Sequence, residues 1–200
     1  APLPAQPIPK SNASPGLLAY IATAKYQDGL PLYRLEDIVQ RAGVELGRNT
    51  MANWMIKAGT LIQPLLNLML DQILSYPVLQ CDETGVQVLK EPGKEPSSKS
   101  YMWVLVGGPP TRKVIHFNYA DSRAGAVATH LMAGYQGYLQ TDDYSGYNGV
   151  GKVDAITHLG CMAHARRKFV EAQKAVGKNK KAGKATTAIN LIAKLYAIES

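Results

Sequence analysis

The sequence predicts an α/β protein in which a mixed five-stranded sheet, flanked by helices, follows a small helical region. Up to residue 75 the apolar residues recur with the period of helices, whereas from Tyr76 onward short runs with a period of two appear. Beyond that point the predicted elements follow the order βββ, α, β, α, β, α. A three-stranded meander that continues through helical crossovers gives a mixed sheet with helices on its faces.

The region before the sheet is predicted to contain an extended linker and a helical part. Residues 1–13 are rich in proline and lack periodicity, which is typical of a linker. Residues 14–75 form the helical part, which Ser14 opens as an N-cap and Pro15 as a first-turn residue. Four helices are predicted there, over about 15–26, 32–41, 50–58 and 60–74.

The second and third of these helices have the layout of a helix-turn-helix. They are joined by a turn that contains glycine, and in that motif the second helix lies in a DNA major groove. Side chains that could face DNA are Arg48, Asn49, Asn53 and Lys57. A plain helical hairpin packed on the main domain has the same pattern, so both interpretations stay open.

Residues 76–200 form the predicted main domain. The meander consists of "PVLQCDETGVQVL", with a bulge expected at Gly85, "YMWVLVG" and "KVIHFNYA". A helix capped by Ser122 follows, and then "GYLQTDDYSGY" returns to a strand. The segment "DAITHLGCMAHARRKFVEAQKAV" is predicted to be a strand that leads into a basic helix. A loop, "GKNKKAGK", and a last amphipathic helix, "TTAINLIAKLYAIE", complete the order.

Two pairs of adjacent acids lie in the first and fourth predicted strands, Asp82 with Glu83 and Asp142 with Asp143. Because side chains alternate along a strand, we expect only one acid of each pair to join a shared site. If the two strands are neighbours, Asp82 and Asp142 meet near the edge of the sheet. Repulsion between two close carboxylates favours a bound cation, and Mg²⁺ prefers oxygen ligands. Ordinary solvent-exposed acids would show the same spacing.

The net charge of +7 is concentrated in one segment. Residues 165–184 contain eight basic residues, among them Arg166, Arg167 and Lys168, against one acid, Glu171. Lysine and arginine side chains that displace counterions from phosphates supply most non-specific affinity for nucleic acids. A solvated helix face has the same composition, so this run alone does not separate DNA contact from simple exposure.

Composition also limits the compartment and the partners. Two cysteines cannot build a disulfide framework, which favours a reducing, cytoplasmic setting. No apolar run approaches the ~18 residues of a membrane span, and no secretion signal opens the sequence. We therefore expect no membrane partner. The chain begins inside a proline-rich run without Met, and we expect it to be a piece of a longer protein.

Four segments in this order resemble the transposases of the IS66 family of bacterial insertion sequences: "YRLEDIVQRAGVELGRNTMANW", "CDET", "LQTDDYSGYNG" and "GCMAHARRKF". The resemblance implies an RNase H-like fold in which two aspartates and a glutamate hold two divalent ions, Mg²⁺ or Mn²⁺. Those ions support cleavage and strand transfer of transposon DNA. The implied partners are the transposon ends, the target DNA and further copies of the chain in a synaptic complex near the bacterial nucleoid.

The resemblance also assigns individual residues. Asp82 of "CDET" matches the first catalytic aspartate and Asp142 of "QTDDYSGY" the second, while Asp143 is taken as a bystander and Glu83 is expected to face elsewhere. Cys161 and His164 resemble a C-x-x-H signature that follows the second aspartate in several transposase groups. A structural Cys and His that open a helix are the alternative, since two residues cannot close a zinc site.

The chain departs from the family at the third acid. In the family this glutamate lies in a far C-terminal segment, and neither Glu171 nor Glu199 stands in a matching motif. We therefore expect a central fragment that holds two of the three metal ligands and has little activity by itself. Two alternatives are a non-catalytic DNA-binding module and a stand-alone RNase H-like nuclease.

Overall fold

The computed structural model describes residues 6–175 and 183–199. The chain divides into two compact units, Ala1–Leu68 and Met69–Ser200. No helix in the described part of the chain has the length and apolar character that crossing a membrane requires.

The first unit is helical. Its elements are α1 (Pro15–Ala22), which continues into a π-helical turn (Thr23–Gln27), α2 (Leu32–Arg41) and most of α3 (Arg48–Leu74). The hydroxyl of Ser14 accepts a hydrogen bond from the backbone N–H of Leu17 at 3.2 Å, which confirms the predicted cap. Ile8 and Ala13 are buried in the core of this unit, contacts that the linker interpretation of residues 1–13 did not anticipate.

The prediction of two separate helices over 50–58 and 60–74 is wrong, because α3 is continuous from Arg48 to Leu74. Gly59 lies between the two predicted helices, but a glycine in a helix costs only about 1 kcal/mol. The hydroxyl of Thr60 donates to the carbonyl oxygen of Ile56 at 3.3 Å, as it does within an unbroken helix. Burial of apolar residues at both ends of α3 outweighs the low propensity in its middle.

The second unit contains the sheet. Its elements are β1 (Val78–Gln87), β2 (Lys99–Gly107), β3 (Val114–Ala120), α4 (Gly125–Leu131), β4 (Gly137–Thr141), β5 (Ile156–Gly160), α5 (Met162–Ala175) and α6 (Lys184–Glu199). Short 3-10 helices lie at Pro110–Arg112, Ser145–Asn148 and Val150–Lys152. Most of the predicted loop "GKNKKAGK", at residues 177–182, lies outside the described residues.

The strands form one mixed sheet in the order β3-β2-β1-β4-β5. Strands β1, β2 and β3 pair antiparallel, whereas β4 pairs parallel with β1 and β5 parallel with β4. The predicted RNase H-like arrangement, a five-stranded mixed sheet preceded by helices, is therefore confirmed. One face of the sheet packs on α4 and the two 3-10 helices that follow β4, around a core that includes Leu79, Trp103, Leu105, Leu139 and Tyr147.

Two local predictions in the sheet region are wrong. The pairing of β1 with β2 runs unbroken across Gly85, which lies opposite Tyr101, so the expected bulge is absent. Ser122 does not cap α4, because the helix begins at Gly125 and the hydroxyl of Ser122 accepts a hydrogen bond from the N–H of Ala124 at 3.0 Å. The first residue of the helix packs closely on the segment after β4: a Cβ atom on Gly125 would lie 2.5 Å from the carbonyl oxygen of Gly146, so only glycine fits there.

Candidate metal centre

The first predicted acid lies within β1, and the end of the neighbouring strand β4 brings the second acid close to it. The parallel pairing of β1 with β4 matches Gln80 with Gln140, whose side-chain amides are hydrogen-bonded at 2.7 Å. Asp82 lies two residues after Gln80, and Asp142 lies two residues after Gln140. The predicted adjacency of these strands is confirmed, although Asp142 lies one residue beyond the end of β4 and not within it. Ligand atoms of Asp82, Glu83 and Asp142 all lie within 4.8 Å of one another.

The expectation that Glu83 faces away from Asp82 is wrong at the level of the carboxylates. Alternation does hold for the strand, since Cys81 is buried on the core face while Asp82 is exposed. The carboxylate of Asp82, however, bends along the strand and accepts a hydrogen bond from the N–H of Glu83 at 2.9 Å. Because β4 ends at Thr141, the side chain of Glu83 reaches the same open end of the sheet.

Glu83 is the most enclosed of the three acids. Its side chain is fully buried, and Oε1 accepts hydrogen bonds from Nη2 of Arg123 at 2.5 Å and from Nε at 2.7 Å. Its second oxygen, Oε2, accepts a hydrogen bond from the hydroxyl of Tyr147. Burial lowers the pKa of Arg123, but the hydrogen bond and negative charge of Glu83 outweigh this effect and raise the pKa above its usual value. Arg123 therefore stays charged.

Asp142 is held by the segment that follows it. Its Oδ1 accepts a hydrogen bond from the N–H of Tyr144 at 2.9 Å, and its carbonyl oxygen accepts one from the hydroxyl of Thr141 at 2.8 Å. The same hydroxyl lies 2.7 Å from Nε2 of His158. Asp143 is exposed and does not belong to the cluster, which agrees with its interpretation as a bystander.

The donor atoms of this cluster suit a hard divalent cation. All of them are carboxylate oxygens, which Mg²⁺ and Mn²⁺ prefer over nitrogen and sulfur. Asp82 and Asp142 each use one oxygen for a backbone N–H. Within the described residues no hydrogen bond engages their second oxygens, so both can act as ligands.

Cys161 and His164 lie beside the same acids. The N–H of Cys161 donates to the carbonyl oxygen of Thr141 at 2.8 Å, and His164 follows in the first turn of α5. Both line a groove of about 220 Å³ together with Asp82 and Asp142. The Nδ1 atom of His164 is buried and has no hydrogen-bond partner in the described part of the chain. The structural and functional interpretations of this pair both remain predictions.

The predicted basic contacts are exposed in both units. Arg166, Arg167 and Lys168 lie on α5, and Lys168 lines a groove of about 850 Å³ that also contains Arg123 and Asp142. The first turns of α3 expose the four side chains predicted to face DNA, which are Arg48, Asn49, Asn53 and Lys57.

Sequence reasoning missed Arg123, Tyr144 and Tyr147. The two tyrosines are part of "TDDYSGY", so the motif pointed to their segment but not to their roles. Arg123 had no signal, because it lies 40 residues from the acid that it binds. Only the tertiary structure brings that side chain to the centre.

The two cysteines should differ in reactivity. Burial raises the pKa of Cys81 to about 12, and its Sγ lies 3.6 Å from the hydroxyl of Tyr147, whereas Cys161 is only half-buried. We expect the disulfide reagent DTNB at pH 8 to modify one thiol in the folded chain and two in urea, since the thiolate is the reactive form. Cys161→Ser should remove the fast reaction and Cys81→Ser should leave it; the reverse assignment would contradict this prediction.

Comparison with known proteins identifies the family of the chain. A family model described as "Transposase IS66 family" matches residues 10–200. The chain belongs to the IS66 family of transposases. This confirms the family that the four sequence segments indicated.

Relatives of this IS66-family chain include proteins of Sinorhizobium fredii (strain NBRC 101917 / NGR234). "Uncharacterized protein y4qI" is 38% identical over 181 residues, a match that covers 84% of this chain and 33% of that protein. "Uncharacterized protein y4jD" is 29% identical over 210 residues, which covers 100% of this chain and 40% of the relative. The chain thus spans well under half the length of these two relatives.

Two solved structures align with this chain at low similarity. The simian T-cell lymphotropic virus intasome in complex with PP2A regulatory subunit B56 gamma aligns at 13% identity and a TM-score of 0.33, covering 58% of this chain and 48% of that one. The Mos1 transposase paired-end complex with the left transposon end aligns at 9% identity and a TM-score of 0.28, covering 100% of this chain and 74% of that one. The fold assignment depends on the strand order described above.

Proposed function

We propose that this IS66-family chain supplies two metal-binding acids, Asp82 and Asp142, to a DDE transposase that cleaves and joins transposon DNA. The observation that carries the proposal is the parallel pairing of β1 with β4, which brings Asp82, within β1, close to Asp142, one residue past the end of β4. The resemblance to the family implies a glutamate as third ligand, and neither Glu171 nor Glu199 stands in a matching motif. Family membership supports the chemistry, since DDE transposases use divalent ions.

The residues of the centre have distinct tasks in this proposal. The backbone N–H of Glu83 donates to one oxygen of Asp82, and the N–H of Tyr144 donates to one oxygen of Asp142. The second oxygen of each aspartate can then bind a metal ion. Divalent ions held there would help to activate the water or 3′-hydroxyl that attacks a DNA phosphodiester, and would stabilise the leaving oxygen. His164 and Lys168 border the grooves beside the acids, where a DNA backbone would pass.

Direct measurement of metal binding tests the centre in this chain. We expect Asp142→Asn to weaken Mn²⁺ binding by at least about tenfold, because an amide cannot supply the negative charge of a carboxylate ligand. Electron paramagnetic resonance of the free ion measures the binding. Asp143→Asn is the matched control, because Asp143 is adjacent and exposed but outside the cluster. Equal effects of the two substitutions would contradict the assignment and favour a non-catalytic DNA-binding module.

We further propose that α5 contacts the phosphate backbone of the DNA. Arg166, Arg167 and Lys168 are exposed on this helix, and Lys168 lines the groove that contains Asp142. Replacing all three by alanine should lower the affinity for non-specific duplex DNA and reduce the slope of log affinity against log salt by about 0.9 for each lost phosphate contact. The variant is R166A/R167A/K168A, and the matched control is K90A/K99A/K113A.

Fluorescence anisotropy at several salt concentrations distinguishes the two outcomes. The control triple also removes three exposed cations, but these lie around the β-meander and not beside the acids. If both triple variants lose affinity equally, the contact is a general effect of net charge. A loss confined to the α5 variant supports a defined path for DNA along this helix.

A further inference from the structure

The three clustered carboxylates differ in their surroundings. Asp82 is exposed and Asp142 is half-buried, and each has one oxygen bound by a backbone N–H. Glu83 is fully buried, and both of its oxygens accept hydrogen bonds from side chains. A metal that bound Glu83 would have to displace either a guanidinium or a buried tyrosine hydroxyl. Glu83, whose carboxylate is the least accessible of the three, is therefore the poorest metal ligand.

Arg123 is fixed on three sides. Its guanidinium donates through both Nη2 and Nε to one oxygen of Glu83, Oε1, and such charge-assisted hydrogen bonds are stronger than neutral ones. The guanidinium carbon lies 3.7 Å from the centroid of the Tyr144 ring, which is a close cation–π contact. The hydroxyl of Tyr144 donates to the carbonyl oxygen of Arg123 at 2.8 Å. Arg123 and Tyr144 therefore contact each other twice: the guanidinium lies over the Tyr144 ring, and the Tyr144 hydroxyl binds the backbone of Arg123.

This contact continues to the second aspartate. The backbone N–H of Tyr144 donates to Oδ1 of Asp142, so the position of Tyr144 sets the orientation of that carboxylate. Tyr147 donates to Glu83 and packs edge-on against Tyr144, with ring centroids 6.0 Å apart. The segment from residue 142 to residue 147 is therefore attached to β1 through the Glu83–Arg123 pair.

We propose that Glu83 is not a metal ligand but the anchor of Arg123, and that the Glu83–Arg123 pair positions Asp142 through Tyr144. The inference depends on the proposed function, because it assigns roles around the proposed metal centre. Charge supports it: Arg123 neutralises Glu83, which leaves the two aspartates to balance a divalent cation. Arg123 and Glu83 are positioning residues, since neither would touch the ion.

Terbium luminescence can test these roles in this chain. Tb³⁺ binds carboxylate sites, and aromatic rings beside such a site sensitise its emission when excited at 280 nm. Tyr144 contacts Asp142 through its backbone N–H, and its ring packs edge-on against that of Tyr147. We expect Asp82→Asn to weaken Tb³⁺ binding at least about thirtyfold. Glu83→Gln keeps the shape of the side chain and an acceptor for Arg123, so it should change the affinity less than about threefold. A loss equal to that of Asp82→Asn would show that Glu83 is a ligand and overturn the proposal.

Substitution of Arg123 separates positioning from simple electrostatics. Removing a positive charge beside a cation site should by itself tighten Tb³⁺ binding. If Arg123 positions Asp142, Arg123→Gln should instead weaken binding about tenfold. Arg123→Lys keeps the charge but not the planar guanidinium with its two donors to Glu83, so its affinity should fall between those of the wild type and Arg123→Gln. Tighter or unchanged binding in Arg123→Gln would overturn the proposal. Near-ultraviolet circular dichroism reports whether the variant is folded.

A second variant covers the case in which Arg123→Gln does not fold. Tyr144→Leu removes the ring under the guanidinium but leaves the Glu83–Arg123 pair, and it should weaken Tb³⁺ binding severalfold; wild-type affinity would overturn the proposal. Failure of the proposed function gives a different result. If Asp82→Asn and Asp142→Asn both bind like the wild type, or if the wild type binds no Tb³⁺ at millimolar concentration, the metal centre itself is wrong.

Discussion

Replacing Asp82 by cysteine in the complete transposase is expected to abolish Mg²⁺-supported DNA cleavage and to restore part of it with Mn²⁺. A loss of at least about a thousandfold corresponds to ~4 kcal/mol of transition-state stabilisation. Partial recovery is expected because Mn²⁺ accepts a sulfur ligand more readily than Mg²⁺ does. The measurement is cleavage of a labelled duplex that carries the ends of the element, with each metal in turn.

The same substitution at the second aspartate should behave in the same way. Carboxylate oxygens of Asp82 and Asp142 lie within 4.8 Å of each other, so the proposed centre uses both residues. Asp143→Cys is the matched control and should retain most of the activity with either metal. Full activity of Asp82→Cys with Mg²⁺ would remove this residue from the catalytic set. Loss of cleavage with both Mg²⁺ and Mn²⁺ would give no support to Asp82 as a metal ligand.

The sequence predicts the sheet well because its signals are local. Period-two runs gave all five strands, and the turns between them gave the antiparallel meander. The pairing of β1 with β4 followed from the chemistry of the acids, since Asp82 and Asp142 can share a cation only if their strands are neighbours. The register agrees with that inference, as Gln80 lies opposite Gln140.

The parts that were missed depend on contacts distant in sequence. Gly59 lowers the helix propensity of one turn, but burial of Met51 and Ile73 on either side of it is a tertiary effect that no local pattern contains. Alternation separated Asp82 from Glu83 because it describes Cβ atoms within a strand. At the end of a sheet the carboxylates can converge, and here Arg123 draws that of Glu83 into the centre.

Trp103 on β2 is fully buried and supports the candidate metal centre through its contact with Tyr147. Its ring packs edge-on against that of Tyr147 with centroids 5.9 Å apart, and its Nε1 donates to the carbonyl oxygen of Ser122 at 3.3 Å. Trp103→Ala should therefore lower the free energy of unfolding of the second unit by about 3–5 kcal/mol, through lost apolar burial and the cavity that remains. Urea denaturation followed by far-ultraviolet circular dichroism measures the change.

The control for this substitution is Phe169→Ala, because Phe169 is an aromatic residue of α5 that is 38% exposed. It should cost less than about 1 kcal/mol, since surface substitutions away from a packed core have small effects. Trp103→Phe fills more of the cavity but cannot donate to Ser122, so its loss should fall between those of the two alanine variants. Because Ser122 precedes Arg123, this variant should also weaken Tb³⁺ binding. Wild-type stability of Trp103→Ala would contradict the packing on which the orientation of Tyr147 and Arg123 depends.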